Sequence, residues 1–363
     1  VSQKAPHLSE KKQPADSRPP AEPFEIAGHT IRPGERSQFD VPGAQLYTHT
    51  PLHTTLEVIH GKEPGPVMLV CAAVHGDELN GVEIIRRLHG LTELDELSGT
   101  LLLVPVVNLH GFINQSRYLP DRRDLNRCFP GNKKGSLGSR IARGFFDTVV
   151  RRATHIIDLH TAAANRENLP QIRADLSAPG VEEIALGFSI PVIVNSGLVK
   201  KSLRAEAGKL GIPTVTYEAG EAGRLSEDAI ITGLRGITNA LQSLGMLANK
   251  TGAAKQTKPT IAQSSSWMRA SIDGVFRPRV ELGAQIEKGD AIGVVSSPFA
   301  TREQKILARV SGIVIGITRQ PLVNEGEALC HIATFDKPQD VAARIERQRL
   351  LISTDPLFES AVG

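Results

Sequence analysis

Eight apolar residues, Val67–Val74 (VMLVCAAV), run directly into His75-Gly76-Asp77-Glu78. A run of that length reads as a buried β-strand, and GVEIIRRL (81–88) just beyond it as the opening of a helix. In open α/β sheets, ligands bind at the carboxyl ends of the strands. Chemistry-bearing side chains therefore sit where this strand gives way to its helix. The same alternation recurs along the chain. TTLEVI (54–59) reads as a strand and GKEPGP (61–66) as a turn. TLLLVPVV (100–107) is a second strand that Pro105 either ends or confines to an edge. Ser139–Val150 reads as a helix, HIIDL (155–159) as a strand, PVIVNS (191–196) as a strand and Lys201–Leu210 as a helix. PTVTYEAG (213–220) and a helix over Glu227–Leu247 close the unit. Strands alternating with helices imply a layered α/β domain over residues 24–248.

The chain has 363 residues, enough for two folded units. Residues 1–23 are rich in Pro, Lys and Ser and read as a disordered tail. Residues 249–265 are polar and aperiodic, as a linker would be. Residues 266–336 then change to short strands and glycine turns with a weak internal repeat. Ala270 to Gly274 is echoed by Ala308 to Gly312, and Gly289 by Gly326. Two related four-stranded halves would close into a small β-sandwich or barrel. Residues 337–363 read as a charged amphipathic helix, Gln339–Leu350, and a loose tail.

The formal charge is +3, from 42 basic and 39 acidic residues, which offers no electrostatic reason to expect nucleic acid or a membrane surface as partner. No apolar run approaches the roughly 20 residues of a membrane span, and the N-terminal segment lacks an apolar signal core. The expectation is a soluble cytoplasmic protein. Cys71, Cys128 and Cys330 are too few for a disulfide framework or a Cys-rich zinc site, so a metal would be held by His and carboxylates.

His75 and Glu78, three residues apart at a strand-to-helix junction, can turn toward one metal ion. The same spacing occurs at His7/Glu10 and His60/Glu63, but only His75 follows a buried strand. His160 closes another apolar strand. Alone it reads as a satisfied core histidine; beside His75 and Glu78 it reads as a third ligand. Asp158 lies two residues earlier, on the same strand face, and could orient His160 from behind. Two His and one Glu leave a coordination position open, the layout of a catalytic zinc. SRYLPDRRDLNRCFPG (116–131) supplies Arg117, Arg122, Arg123 and Arg127, with Asn126 beside the last. Arg122 and Arg123 read as solvated. A guanidinium next to an amide can hold a carboxylate, and another arginine can stabilise oxyanion charge. Glu218, in VTYEAGE, sits at a strand end where a carboxylate could act as general base, although alone it reads as a loop glutamate.

HGDE, then RY followed by DLNR, then DLHT, then EAG, in that order, resembles the succinylglutamate desuccinylase/aspartoacylase family of the zinc carboxypeptidase clan. The resemblance implies a zinc-carboxypeptidase-like mixed sheet flanked by helices, with the C-terminal all-β unit as a second domain. It implies one Zn2+ per chain on His75, Glu78 and His160, and Glu218 as the catalytic glutamate. It also implies Arg117 as the polarising arginine, and Asn126 and Arg127 as the pair that grips the substrate carboxylate. The activity implied is removal of the acyl group from a small-molecule N-acyl amino acid by hydrolysis of its amide. An N-acetyl-diaminobutyrate-type deacetylase and a small-peptide carboxypeptidase are alternatives, and an inactive zinc-binding scaffold is the non-enzyme one. A homo-oligomer is the ordinary expectation for a soluble enzyme. The C-terminal unit also resembles the lipoyl/biotinyl carrier fold, but Lys305 is out of register with the modified lysine, so no lipoylation or biotinylation is expected.

Overall fold

The structure is a computed structural model, and it describes residues 20–45, 48–248 and 257–353. The hairpin β1 (Phe24–Ile26) and β2 (His29–Ile31) leads into the antiparallel pair β3 (Arg36–Gln45) and β4 (Pro51–His60). There follow β5 (Glu63–Ala72), α1 (Asn80–His89), β6 (Ser98–Val104), α2 (Leu109–Ile113), α3 (Leu137–Thr148), β7 (His155–Ala162) and β8 (Arg166–Ala174). Next come α4 (Val181–Gly187), β9 (Val192–Asn195), α5 (Leu203–Gly208), β10 (Thr214–Glu221) and α6 (Glu227–Ser243). The C-terminal part holds β11 (Thr260–Ala262), β12 (Ser264–Arg269), β13 (Gly274–Pro278), β14 (Gln285–Ile286) and β15 (Ala291–Ser296). It continues with β16 (Glu303–Leu307), β17 (Gly312–Thr318), β18 (Leu322–Val323), β19 (Ala328–Thr334) and α7 (Pro338–Ser353).

The fold is mixed α/β. β6, β5, β7 and β10 run parallel at the centre, so their carboxyl ends share one edge. β4 and β3 extend the sheet antiparallel on one side, and β8 pairs antiparallel with β10 on the other. Alternate side chains of each strand enter opposite layers, as the two-residue period requires. Met68, Val70 and Ala72 of β5 pack with the apolar faces of α1, α4 and α6. Leu69 and Cys71 pack with α3 and α5 on the other side. α1 crosses so close to the sheet that a Cβ on Gly81 would lie 2.7 Å from Leu159 Cβ and 2.8 Å from Ala72 Cβ. No helix among the described residues is long and apolar enough to cross a membrane.

Several expectations change in detail. The turn expected over 61–66 shrinks to Gly61 and Lys62, because β5 begins at Glu63 and pairs there with Ser98 before an irregularity restores register at Val67. β6 lies inside the sheet, not at an edge, and it ends before Pro105. Residues 20–22, expected in the tail, are held by the body: Ala21 N–H donates to Lys62 O, and His60 Nε2 lies 2.9 Å from Glu22 O. The expectation for residues 1–19 falls outside the described residues, as do 249–256 of the expected linker and the final tail, 354–363. The rest of that linker segment is not free chain. β11 lies within it and pairs parallel with β9, giving a short edge strand its missing backbone partners. α6 stops at Ser243, and Gly245, at φ 69°, turns the chain before Leu247.

The C-terminal β segment shows how the sequence repeat is used. β13–β14–β15 and β17–β18–β19 are its two copies, and each short strand pairs with the other copy: β14 with β17, β18 with β13. Four strands, β16-β15-β13-β18, form one half. The other half, β12, β19, β17 and β14, continues the main sheet, because β17 pairs with β8 through Gly316↔Asn168 and Thr318↔Arg166. This segment is hydrogen-bonded to the strand beside the one that carries Glu218.

Candidate metal centre and cleft

His75 follows β5, His160 lies within β7 and Glu218 within β10, so three neighbouring parallel strands deliver them to one edge. Glu218 is in register with His160, and Asp158 with Cys71 on one side and Thr216 on the other. The chain leaves β5 through Ala73 at φ 47° and then Gly76, where a Cβ would lie 1.9 Å from the Gly111 carbonyl carbon. Only glycine permits that approach. The sharp exit lets His75 and Glu78 point back to the strand ends.

His75, Glu78 and His160 are all buried, and each offers a ligand atom within 4.8 Å of the others. Glu78 bridges the two rings. Its Oε1 lies 2.6 Å from His75 Nδ1 and its Oε2 2.7 Å from His160 Nδ1. Both Nε2 atoms face away from the centre toward carboxylates: Asp124 Oδ1 at 3.0 Å from His75 and Asp158 Oδ2 at 2.9 Å from His160. Such backing carboxylates fix the tautomer and orientation of metal-ligating imidazoles. Two Nδ1 atoms and one carboxylate, each imidazole backed in this way, fit a zinc-type divalent ion with an open coordination position. His60, by contrast, lies 2.9 Å from Thr100 Oγ1 through Nδ1 and 2.9 Å from Glu22 O through Nε2, a satisfied core histidine. His7 and Glu10 lie outside the described residues.

The cluster is strongly coupled. Burial pushes Glu78 up, but the two imidazoles outweigh it and hold the carboxyl well below its usual range. Burial pushes both histidines down. The Glu78 charge and the Asp124 bond outweigh it for His75, and Asp158 and Glu78 do so for His160; both pKa values end above the ordinary value. In metal-free protein a lowered Glu78 stabilises the fold above the unfolded glutamate pKa, and raised histidines do so below the unfolded histidine pKa. The cluster therefore contributes fully only between about pH 4.5 and 6.5, and this is lost as the imidazoles deprotonate at higher pH. Thermal melts of chelator-treated wild type and Glu78→Gln, taken from about pH 6 to 8, are expected to converge as pH rises. Divergence would contradict the coupling.

Arg117 lies over this centre. Its guanidinium donates to Glu78 Oε1 at 3.1 Å and to Asp124 Oδ2 at 3.1 Å. Asp124 also accepts from Asn126 N–H at 2.8 Å, tying the loop to His75. Asn126 Oδ1 accepts from Leu203 N–H at the start of α5 at 2.8 Å. Asn126 and the exposed Arg127 both line the cleft, while Arg122 and Arg123 are exposed and outside it. Glu218 Oε2 accepts from Asn168 Nδ2 at 2.8 Å, and its Oε1 lies 3.7 Å from Arg173 Nε. The eight residues given roles in the sequence, His75, Glu78, Arg117, Asn126, Arg127, Asp158, His160 and Glu218, thus line one open cleft.

The cleft and its supports also hold residues whose place the sequence did not reveal. Asp124 stands within the DLNR motif, yet its contact to His75 spans 49 residues. Asn168 and Arg173 belong to β8, which was not expected; the alternation of Gln171, Ile172 and Arg173 is the two-residue signal that could have revealed it. Arg166 and Trp267 complete the wall. The Arg166 guanidinium stands 5.5 Å from the Trp267 ring centroid, and that ring stacks on His331 at 4.5 Å.

Residues 64–244 match the family model described as the succinylglutamate desuccinylase/aspartoacylase catalytic domain. The chain is 24% identical over 290 residues to the N-alpha-acetyl-L-2,4-diaminobutyric acid deacetylase of Halomonas elongata, covering 74% of this chain and 82% of that protein. It is 24% identical over 221 residues to the succinylglutamate desuccinylase of Pseudomonas fluorescens, covering 54% of this chain and 62% of that one. A product-bound ectoine utilization protein from Ruegeria pomeroyi shares the fold with a TM-score of 0.74 at 23% identity, over 88% of this chain and all of that one. A Rhodobacter sphaeroides succinylglutamate desuccinylase/aspartoacylase does so with a TM-score of 0.72 at 24% identity, over 82% of this chain and 94% of that one. With the ordered motifs at one cleft and this match to the catalytic domain, the chain belongs to the succinylglutamate desuccinylase/aspartoacylase family.

Proposed function

We propose that the protein is a zinc-dependent hydrolase that removes the acyl group from N-acyl amino acids. The observation that carries this reading is the convergence of a buried His75–Glu78–His160 donor set with a separate carboxylate, Glu218, on the adjacent strand. His75, Glu78 and His160 would hold the zinc ion, which would supply Lewis acidity toward a carbonyl and toward water. The remaining work falls to the chain's own side chains. Glu218, kept in place by Asn168, takes a proton from the attacking water and returns it to the leaving amine. Arg117 places positive charge where the carbonyl oxygen becomes an oxyanion. Asn126 and Arg127 hold the substrate α-carboxylate, and that anchor sets the angle of attack.

The curated relatives named as a deacetylase and a desuccinylase support amide hydrolysis on an amino acid as the reaction class. A screen of zinc-supplemented protein against N-acetyl, N-succinyl and N-formyl amino acids, read by amine release, is expected to give turnover that a chelator abolishes. Release from none of them, by a protein shown to carry one zinc, would reject the deacylase reading in favour of a metal-binding scaffold.

A further inference from the structure

Among the described residues, one hydrogen bond reaches the Glu218 carboxylate. Asn168 Nδ2 donates it to Oε2 at 2.8 Å, while Oε1 is ion-paired with Arg173 at 3.7 Å. A carboxylate only accepts, so the amide must turn its NH2 toward Glu218 and its oxygen the other way. What lies the other way is the C-terminal β segment. Asn168 is in register with Gly316 of β17, Gly316 with His331 of β19, and His331 with Trp267 of β12. Residues in register on neighbouring strands share a sheet face. The four therefore form one row that begins in β12 and ends against Glu218.

Gly316 is the gap in that row. Its φ lies outside the left-handed region, so the backbone there would admit any residue. Space would not. A Cβ at this position would lie 3.0 Å from Asn168 Oδ1, 3.2 Å from His331 Cβ and 3.6 Å from Trp267 Cη2. The first two are closer than the roughly 3.5 Å at which such atoms rest. Which neighbour gives way follows from how each is held. His331 Cβ is fixed to a paired strand, and its ring stacks on Trp267 at 4.5 Å with an interplanar angle of 8°. Trp267 is at ordinary contact distance and is not pressed. Asn168 Oδ1 stands at the end of a rotatable side chain, so the amide would move, and Nδ2 on the same carbon would move with it. Glycine at 316 thus leaves the room in which the Asn168 oxygen sits, and His331 and Trp267 bound that room on the side of β19 and β12.

We propose that the C-terminal β segment positions the general base: Gly316, bounded by His331 and Trp267, sets the Asn168 amide, and the amide aims Glu218. Gly316 acts on the chemistry only through Asn168. The proposal rests on the deacylase reading, with Glu218 as its base, and deepens it by giving the β segment a part in the chemical step besides walling the cleft.

A double-mutant cycle tests it, run on full-length, zinc-supplemented protein with an N-acetyl, N-succinyl or N-formyl amino acid that the wild type hydrolyses. Gly316→Ala is expected to lower kcat about 3- to 10-fold with KM within about twofold. A base displaced by a few tenths of an ångström loses only part of the hundredfold that about 1 Å would cost. Asn168→Ala should lower kcat about 10- to 100-fold. The double variant should match Asn168→Ala alone, because Asn168→Ala removes both the amide and the atom that the new Cβ would crowd. Losses that multiply in the double variant, or a Gly316→Ala loss carried by KM alone, or none, would overturn the proposal. Were Gly316→Ala not to fold, Trp267→Phe takes its place, since it withdraws the ring tip nearest Gly316, and its loss in kcat should likewise vanish in the Asn168→Ala background.

A second readout needs no turnover. The side-chain amide resonance of Asn168, in protein labelled with 15N-asparagine, is assigned by its absence from Asn168→Ala. Glu218→Gln should displace it in the wild-type background and much less in Gly316→Ala, where the bond is already disturbed. Equal displacements in the two backgrounds would reject the row. The two proposals therefore fail separately. A wild type that hydrolyses no acyl amino acid rejects the deacylase while the resonance still decides the row, and hydrolysis with independent, multiplying losses rejects the row alone.

Discussion

Glu218→Gln is expected to lower hydrolysis by about a thousandfold or more while leaving one zinc bound per chain. The substitution is narrow in its effect. Glutamine keeps the volume of glutamate, and its amide oxygen can still accept the hydrogen bond that Asn168 Nδ2 now makes to Glu218 Oε2. None of the three metal-centre side chains bonds to Glu218, so the donor set of His75, Glu78 and His160 stays intact. What is lost is a basic oxygen beside His160, the group able to accept a proton from water and deliver it to the leaving nitrogen. Arg173 loses its neighbouring charge as well, so substrate affinity should hold or improve while the chemical step fails. Glu218→Asp keeps the base but withdraws it by about one methylene. A displacement of that order costs roughly a hundredfold, placing this variant between wild type and Glu218→Gln. Metal content, melting temperature and turnover measured together distinguish these outcomes. Turnover of Glu218→Gln within tenfold of wild type would remove Glu218 from the proton-transfer role.

The parts of the site legible in the sequence are those whose meaning is local. His75 is legible because an eight-residue apolar strand must end somewhere, and it ends at a histidine followed by the glycine that lets the chain turn. His160 and Asp158 are legible because they alternate with Ile157 and Leu159 on a short, largely apolar strand. Arg117, Asn126 and Arg127 stand out through motif order. The hidden parts depend on pairing between distant segments. Asp124 looks like one more polar loop residue until the fold brings it to His75 Nε2. β8 escapes notice because Pro170 and five polar side chains break the apolar pattern that marks a buried strand, among them Gln171, which donates to Leu169 O and Ile315 O, and Arg173, which lines the cleft. Trp267 comes from β12, beyond an apparent linker, and nothing near it in sequence places it beside Arg166. The repeat at Gly274 and Gly312 announced two related halves. That each lends a short strand to the other, and that one continues the main sheet through Gly316 and Asn168, is a matter of register that composition cannot express.

Removing the metal, or one of its ligands, should have the second large effect, and the size should grade with distance from the ion. His160→Ala is expected to abolish both zinc retention and turnover. It deletes one of three donors, and the other two, His75 Nδ1 and a Glu78 carboxylate already shared with Arg117 and Thr161 N–H, are too few to hold the ion at a tetrahedral site. Glu78 stays anchored by those partners, so the loss reports the missing donor and not a collapsed helix start. Asp158→Asn is milder. The amide oxygen of the substituted side chain can still accept from Nε2–H of His160, and so can keep the ring oriented, but it no longer supplies the negative charge that makes the imidazole a stronger base. Zinc affinity should fall about 10- to 100-fold, with activity recovered at raised zinc concentration. The same aspartate accepts from Cys71 Sγ at 3.6 Å, so the melting temperature of the zinc-loaded variant must be measured alongside to separate packing from ligand basicity. Metal analysis of the wild type should give one zinc per chain, and dialysis against a chelator should abolish activity that added zinc restores. Wild-type zinc affinity in His160→Ala would place the ion elsewhere, and equal losses in His160→Ala and Asp158→Asn would mean that Asp158 is itself a ligand. The graded result, complete for the donor and partial for its backing carboxylate, is what two imidazoles presenting Nδ1 inward and Nε2 to carboxylates require.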